Sequence, residues 1–427
     1  RSGGRYPTCN PFGIQAIIKR YLVGKVVTQE KIDAAAKRFA AHFGNDTMFN
    51  REGWEYILNQ HDGHLPIRIK AVPEGLTIPE GNVLMTVENT DPKCYWLTNY
   101  LETLLVQVWY PTTVCTRSRY MKRKILAALE KSGTPALIEF KLHDFGFRGV
   151  SSVETAGLGG AAHLVNFRGT DTFAGIECIM DYYNTDQMPG FSIPAAEHST
   201  ITSWGKDHEV DAYENMLTQY PDMMVAVVSD SFDILAACRD LWGGKLKAKV
   251  VQRKGGLVIR PDSGDPCIVI PEVLNVLGEK FGYTVNNKGY KVLHPAVRVI
   301  QGDGIDDESI DDIMNAVIAA GWSMDNLAFG SGGGLLQQVN RDTLRFAFKC
   351  SHITIDGNGH DVFKQPKTDS KKNSKKGRLK LVHFETGYFT VSESDPGEDI
   401  LVLIYENGVL LVEDKFENIV ARAAVGL

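Results

Sequence analysis

The sequence holds no Cys-x-x-Cys pair, no His-Glu-x-x-His or His-x-x-x-His run, and no Gly-x-x-x-x-Gly-Lys-Ser/Thr loop. The first two absences argue against a zinc ribbon and a helical zinc centre. The third argues against P-loop nucleotide chemistry. Seven cysteines (Cys9, Cys94, Cys115, Cys178, Cys238, Cys267 and Cys350) are odd in number and widely spaced. They read as free thiols of a reducing compartment rather than a disulfide frame. Long apolar runs are missing too. A strongly apolar uncharged stretch, TLLVQVWYPTTVCT over 103–116, is shorter than a membrane span and contains Pro111. Neither sign of charge dominates: the formal net charge is -6 over 427 residues, which asks for neither nucleic acid nor an anionic membrane as partner. The opening RSGGRYPTCN has neither the apolar core of a signal peptide nor an initial Met, and reads as an atypical start.

What is present is an ordinary globular composition, 43% hydrophobic and 23% charged, at a length that suggests two domains. Helical periodicity marks 12–22 and 31–43. Alternation and two Pro-Glu-Gly turns make 65–90 a small β module. An apolar helix is expected over 95–110 and a basic one over 117–133. From about 136, strand, turn and helix repeat: LIEFKLHDFG, VAVVSD, GLVIRPDSG, VRVIQGDG and NLAFGSGGG each lead toward a helical segment. That rhythm predicts a parallel α/β domain, open or closed into a barrel. The C-terminus alternates again, so 12–115 and 351–427 are expected to share one accessory β-rich domain around a catalytic part at 116–350.

Four clusters fall at strand ends, where α/β folds carry their chemistry: HDFGFRG (143–149), IRPDSG (259–264), QGDG (301–304) and FGSGGG (329–334). Asp262 and Asp303 follow successive strands, where carboxylates accept from sugar hydroxyls or meet a divalent ion. Asp-Ser-Gly and Asp-Gly are also plain turn signals. Four clusters at corresponding ends argue for more than turns. The glycines of FGSGGG allow close backbone approach to a phosphate. Arg148, Arg260, Arg341, Lys349 and Lys364 are cations near these clusters, each by itself as compatible with a surface ion pair. The run 364–380 carries eight basic residues and reads as a solvated loop or a cover over an anionic ligand. In PAAEHSTITSWGKDHE (194–209), Ser199 or Thr200 is placed to cap a helix starting at TSWG, with His198 beside the cap. His208 reads as exposed or structural.

These stretches, with GTDT (169–172), AFKCS (347–351) and SKKGRL (374–379), resemble the nicotinamide phosphoribosyltransferases, from about Phe12 to about Phe416. The resemblance implies an irregular α/β barrel of the type II phosphoribosyltransferases with an accessory β-rich domain. It implies transfer of phosphoribose from phosphoribosyl pyrophosphate to nicotinamide, with Mg²⁺, coupled to ATP hydrolysis, in a homodimer whose active sites lie at the subunit interface. By that resemblance Phe145 stacks on the nicotinamide ring and Asp171 faces its amide. Asp262, Gly302 and Asp303 hold the ribose, and Gly332 and Gly333 meet the 5′-phosphate. Arg341 and Lys349 reach that phosphate from the partner subunit. Arg148, His198 and Arg260 face the pyrophosphate, His198 being the histidine phosphorylated by ATP, and Lys364 belongs to the covering loop. No direct protein ligand for the metal is assigned. The cytoplasm is expected as location, with the nucleus or leaderless secretion beside it. Two departures stand out. The family's pattern includes residues ahead of Phe12 with a tyrosine that completes the base sandwich, a role not assigned to Tyr6. Ala347 stands where the family commonly has serine. The alternatives are a nicotinate phosphoribosyltransferase, or an impaired homologue acting as a binding or cytokine-like protein.

Overall fold

The computed structural model describes residues 2–368 and 373–427. The chain forms two compact units. One comprises 1–116, 178–186 and 339–427; the other comprises 117–177 and 187–338.

The second unit is built on six short parallel strands: β1 (Leu142–Asp144), β2 (Gly169–Thr170), β3 (Val225–Val228), β4 (Leu257–Arg260), β5 (Val297–Gln301) and β6 (Leu327–Ser331). Their order is β2-β1-β6-β5-β4-β3, with every pairing parallel. β3 and β4 are buried at every residue, the continuous apolar pattern of a strand covered on both faces.

The edges β2 and β3 do not stay open. The extended stretch 191–196 bonds to both of them. Thr170 donates to the Phe191 carbonyl at 3.0 Å, and Phe191 to the Arg168 carbonyl at 2.7 Å. On the other side Ala226 donates to the Pro194 carbonyl and Ala196 to the Ala226 carbonyl, both at 2.9 Å. The sheet thus curls into an irregular barrel closed by a seventh, non-strand stave. Ala226, Val258 and Ile300 pack inside with Phe145, Ile193 and Ala328, one side chain from nearly every stave. Below that layer the buried Lys141 donates to the carbonyls of Met324 (2.7 Å), Asp325 (3.1 Å) and Leu327 (2.9 Å).

The first unit contains a four-stranded antiparallel sheet ordered Val409–Leu410, Val402–Glu406, Ile67–Ala71, Met85–Asn89. Strands from both ends of the chain therefore share one sheet. Ile67, Ile69 and Tyr405 from it pack with Ile14, Ile17, Ile18, Leu97 and Leu105. The segment 178–186 belongs to this unit because Tyr183 stacks on Phe12 (5.0 Å between ring centroids) and its hydroxyl donates to buried Glu74 at 2.9 Å. Residues 339–350 belong here too, where Arg5 donates to the Thr343 carbonyl at 2.7 Å.

Several local expectations change. The apolar stretch 95–110 is no single helix; it breaks into turns at Leu97–Tyr100, Glu102–Leu105 and Val106–Val108. One long helix then runs Trp109–Ser132, with Pro111 in its first turn, where a missing amide hydrogen costs nothing. The strand expected from Leu137 begins only at Leu142, because Pro135–Phe140 forms a 3₁₀ turn. His198 opens the helix His198–Thr202, which is capped by Glu197 in a reciprocal box with Thr200. That helix ends where TSWG was expected to start one.

Candidate active site

The residues singled out in the barrel unit lie just beyond the carboxyl ends of its strands. Phe145 follows β1, and its amide continues the ladder by donating to the Ser331 carbonyl at 2.9 Å. Gly146 donates to Asp144 Oδ1 at 2.7 Å, tightening the turn. The Phe145 ring lies across the ends of β6 and β5. A Cβ on Gly330 would stand 1.9 Å from it and one on Gly302 3.2 Å from it. Those two glycines exist to let the ring lie there.

The His143 ring sits 5.2 Å from that of Phe145, centroid to centroid. Its Nε2 is 2.8 Å from Asp171 Oδ1, and the Ser192 hydroxyl donates to the same oxygen. The Asp171 amide is fixed by the Asp144 carbonyl at 2.9 Å. Burial pushes the Asp171 carboxyl up. The hydrogen bond and charge of His143, the Ser192 hydroxyl and the Arg260 charge together outweigh that and hold it below the usual range. An ionised carboxylate only accepts, so His143 Nε2 is the donor. An aromatic face and a carboxylate are thus both in contact with one histidine. Neither His143 nor Ser192 was picked out from the sequence. His143 was legible inside HDFG, but Ser192 becomes visible only when the 191–196 stave closes the ring.

A second group gathers past β3, β4 and β5. Arg260, the last residue of β4, is only 8% exposed; its guanidinium carbon lies 5.9 Å from the Phe145 ring centroid. Its Nε is 3.5 Å from Asp262 Oδ1, an ion-pair contact without hydrogen-bond geometry, so this buried donor remains unsatisfied. His198 Nε2 lies 3.0 Å from Asp230 Oδ1; the histidine side chain is 44% exposed and the aspartate 5%. Burial raises the Asp262 carboxyl, and the charges of Asp230 and Asp303 raise it further against Arg260 and His198. A cation or a sugar hydroxyl would relieve this crowding of carboxylates. Asp230 closes VAVVSD two residues past the end of β3, as Asp262 follows β4, and nothing in the sequence pattern alone sets it apart.

FGSGGG splits between the end of β6 and the turn Gly333–Leu336. Gly332 takes φ −101°, ψ −110°, and a side chain on Gly333 would meet nothing within 4 Å. Behind them Ser331 Oγ donates to the Ile305 carbonyl at 2.6 Å. Gly149 faces this loop, its hypothetical Cβ 3.3 Å from the Gly333 nitrogen. Arg148 is exposed on the adjoining turn.

Arg341, Lys349 and Lys364 belong to the other unit and are exposed. Arg341 donates to the Phe346 carbonyl at 2.6 Å. Lys364 pairs through its backbone with Ser374, at 2.8 and 2.9 Å. Four residues of the basic run between them, 369–372, lie outside the described residues.

Among the described residues, one set of histidine, cysteine and carboxylate groups converges closely enough to hold a metal: His61, Asp91 and Cys94, in the first unit. Asp91 is already engaged there by the Lys93 amide (2.8 Å), the Tyr56 hydroxyl (2.9 Å) and His61 (2.9 Å). The barrel carboxylates form no such cage.

The sequence model of the nicotinate phosphoribosyltransferase (NAPRTase) family matches residues 140–407, and that of the nicotinamide phosphoribosyltransferase N-terminal domain matches 1–69. A nicotinamide phosphoribosyltransferase of Xanthomonas campestris is 49% identical over 99% of this chain and 91% of its own. The chain belongs to the nicotinamide phosphoribosyltransferase family. An Acinetobacter baylyi protein of the same name is 32% identical over 97% of this chain and 88% of its own.

Family likeness therefore begins ahead of Phe12 and includes the first eleven residues. Part of this stretch is built into the fold: Thr8–Cys9 pairs with Ile78–Pro79, and the Asn10 amide donates to Thr116 Oγ1 at 3.0 Å. Solved structures share the fold at low identity. Nicotinate-nucleotide pyrophosphorylase of Pyrococcus furiosus has a TM-score of 0.56 and 18% identity, covering 84% of this chain and 80% of its own. Human nicotinic acid phosphoribosyltransferase has 0.50 and 15%, covering 99% and 86%. The type II α/β barrel with an accessory β-rich domain is thus the fold of this chain. No helix among the described residues is long and apolar enough to cross a membrane.

Proposed function

We propose that the chain transfers the 5-phosphoribosyl group of phosphoribosyl pyrophosphate to nicotinamide, giving nicotinamide mononucleotide and pyrophosphate in NAD salvage. The observation that carries this reading is the Asp171 carboxylate, kept ionised by His143 and Ser192 next to the Phe145 ring. A carboxylate accepts from the amide of nicotinamide and repels the second carboxylate of nicotinate.

Phe145 stacks on the base and fixes its approach. Asp262 and Asp303, with the Gly302 backbone, hold the ribose hydroxyls and tolerate positive charge developing at the anomeric carbon. Arg260 and Arg148 meet the departing pyrophosphate; the unsatisfied Arg260 Nε is a donor in want of an anion. Mg²⁺, when bound with the pyrophosphate, neutralises its charge. The 5′-phosphate rests on Gly332 and Gly333. Arg341 and Lys349 come to it from a partner copy in a homodimer, and Lys364 belongs to the basic cover. A pyridine nitrogen carries its own lone pair, so no general base is needed.

ATP coupling falls to His198. With Nε2–H donating to Asp230, Nδ1 presents the lone pair that takes the phosphoryl group. The seven cysteines, five of them buried, form no disulfide, which fits the reducing cytoplasm.

The test gives the purified chain nicotinamide, phosphoribosyl pyrophosphate, Mg²⁺ and ATP and follows mononucleotide formation. Product is expected. A folded chain that makes none belongs to the binding or cytokine-like alternative. Preference for nicotinate overturns the reading of Asp171.

A further inference from the structure

The helix Trp109–Ser132 carries a guanidinium where its basic composition would lead one to expect solvent. Arg117 is 2% exposed. Its Nη1 donates to the Gly334 carbonyl, and its Nη2 is 3.6 Å from Oδ1 of Asp307, itself buried. Two turns further on, Lys124 donates to the Asp307 carbonyl and pairs with Asp311 at 2.6 Å. One face of this helix thus grips two loops: the one after β5 that contains Asp303, and the one after β6 that contains Gly332 and Gly333.

The two loops are also tied to each other. Ser331 Oγ reaches the Ile305 carbonyl at 2.6 Å, and that oxygen would stand 2.4 Å from a Cβ on Gly334. The Asp303 loop is stiffened from within, where Asp306 Oδ1 accepts from the Glu308 and Ser309 amides at 2.8 Å each. A buried guanidinium–carboxylate pair is a poor stabiliser, because desolvation offsets its attraction. Its strength is directional: a planar fork holds two acceptors at a fixed angle, which an ammonium does not.

We infer that Arg117 is a positioning residue, bracing the ribose-facing and phosphate-facing loops in register so that they grip the phosphoribosyl end of the substrate together. This rests on the proposed transferase reading. Arg117 acts through Gly334 and Asp307.

The test compares wild type with Arg117→Met, Arg117→Lys and Asp307→Asn by steady-state kinetics and by calorimetric titration with ribose 5-phosphate. In Arg117→Met, KM for phosphoribosyl pyrophosphate and Kd for ribose 5-phosphate should rise about tenfold or more, the scale of a lost charged hydrogen bond. KM for nicotinamide should stay within about twofold, since the His143, Phe145 and Asp171 group is untouched. Asp307→Asn should show the same one-sided pattern, and Arg117→Lys should recover part of the loss. Equal change in both KM values, no change in either, or loss of the folding transition in all three variants would overturn the brace. Failure of the wild type to bind ribose 5-phosphate or turn over would overturn the transferase reading itself, a result visible before any variant is compared.

Discussion

The Phe145 ring occupies the space that any side chain on Gly330 would need: a Cβ there would lie 1.9 Å from ring carbon Cε2. The ring and the strand end are a matched pair, and neither changes alone. Gly330→Ala is therefore expected to push the ring off the strand ends. Overpacking of this kind costs about 1–3 kcal/mol. The KM for nicotinamide should rise about threefold or more as stacking is lost. Thermal melting and base titration check both effects; an unaltered nicotinamide KM would contradict the assigned role of Phe145.

Asp171 is expected to set the choice of base. Asp171→Ser removes the fixed negative charge and leaves a group neutral toward either substrate. The ratio of kcat/KM for nicotinamide over nicotinate should fall by at least about tenfold, mainly through nicotinamide. Competition between the two bases in one reaction measures it directly, and unchanged selectivity would remove Asp171 from the base site.

Asp230 is expected to matter for ATP coupling rather than for base binding. Asp230→Asn replaces the acceptor opposite His198 Nε2 with an amide able to present either a donor or an acceptor. The histidine tautomer is then no longer fixed. The acid-labile phosphoprotein formed with ATP should drop several-fold, while nicotinamide KM holds. Equal labelling of the variant and wild type would show that the 3.0 Å contact is only structural.

Glu74 gives the first unit a pH dependence. It accepts from the Gly13 amide (2.9 Å), the Gln15 amide (2.8 Å) and the Tyr183 hydroxyl (2.9 Å). Burial, the largest influence, outweighs these bonds and pushes its carboxyl up to about 7. The folded state thus prefers the protonated acid. Its contribution is complete below the ordinary carboxyl range and fades as pH rises through about 7. Stability of this unit should decline by a few kcal/mol between about pH 4.5 and pH 7. Melting curves of Glu74→Gln should be flatter than wild type across that window; parallel curves would assign the dependence elsewhere.

Much of this architecture was legible because period and punctuation agree. VAVVSD, GLVIRPDSG and VRVIQGDG each join an apolar strand to a turn of glycine and aspartate, and each became a barrel strand with its polar end at the site. Where the chain departs from its local pattern the sequence misleads. LIEFK alternates like a strand, yet Pro135 starts a 3₁₀ turn there, and Lys141 is drawn inward by three carbonyls. Arg117 reads as one more charge on a basic helix; its burial comes from loops about two hundred residues away. The stave 191–196 has no strand signature because Pro194 interrupts it, and only its hydrogen bonds to both sheet edges reveal its place.

That stave has a mechanical meaning as well. Ser192, on its near end, steadies the carboxylate proposed to choose the base, and His198, just past its far end and proposed to take the phosphoryl group, is paired with Asp230. On that proposal the seam of the barrel is also a tie-rod between base selection and energy input. At about 3.3–3.6 Å per residue the tie has a fixed reach. An insertion of one or two residues would leave both ends chemically intact yet out of step, with the ring unsealed between them.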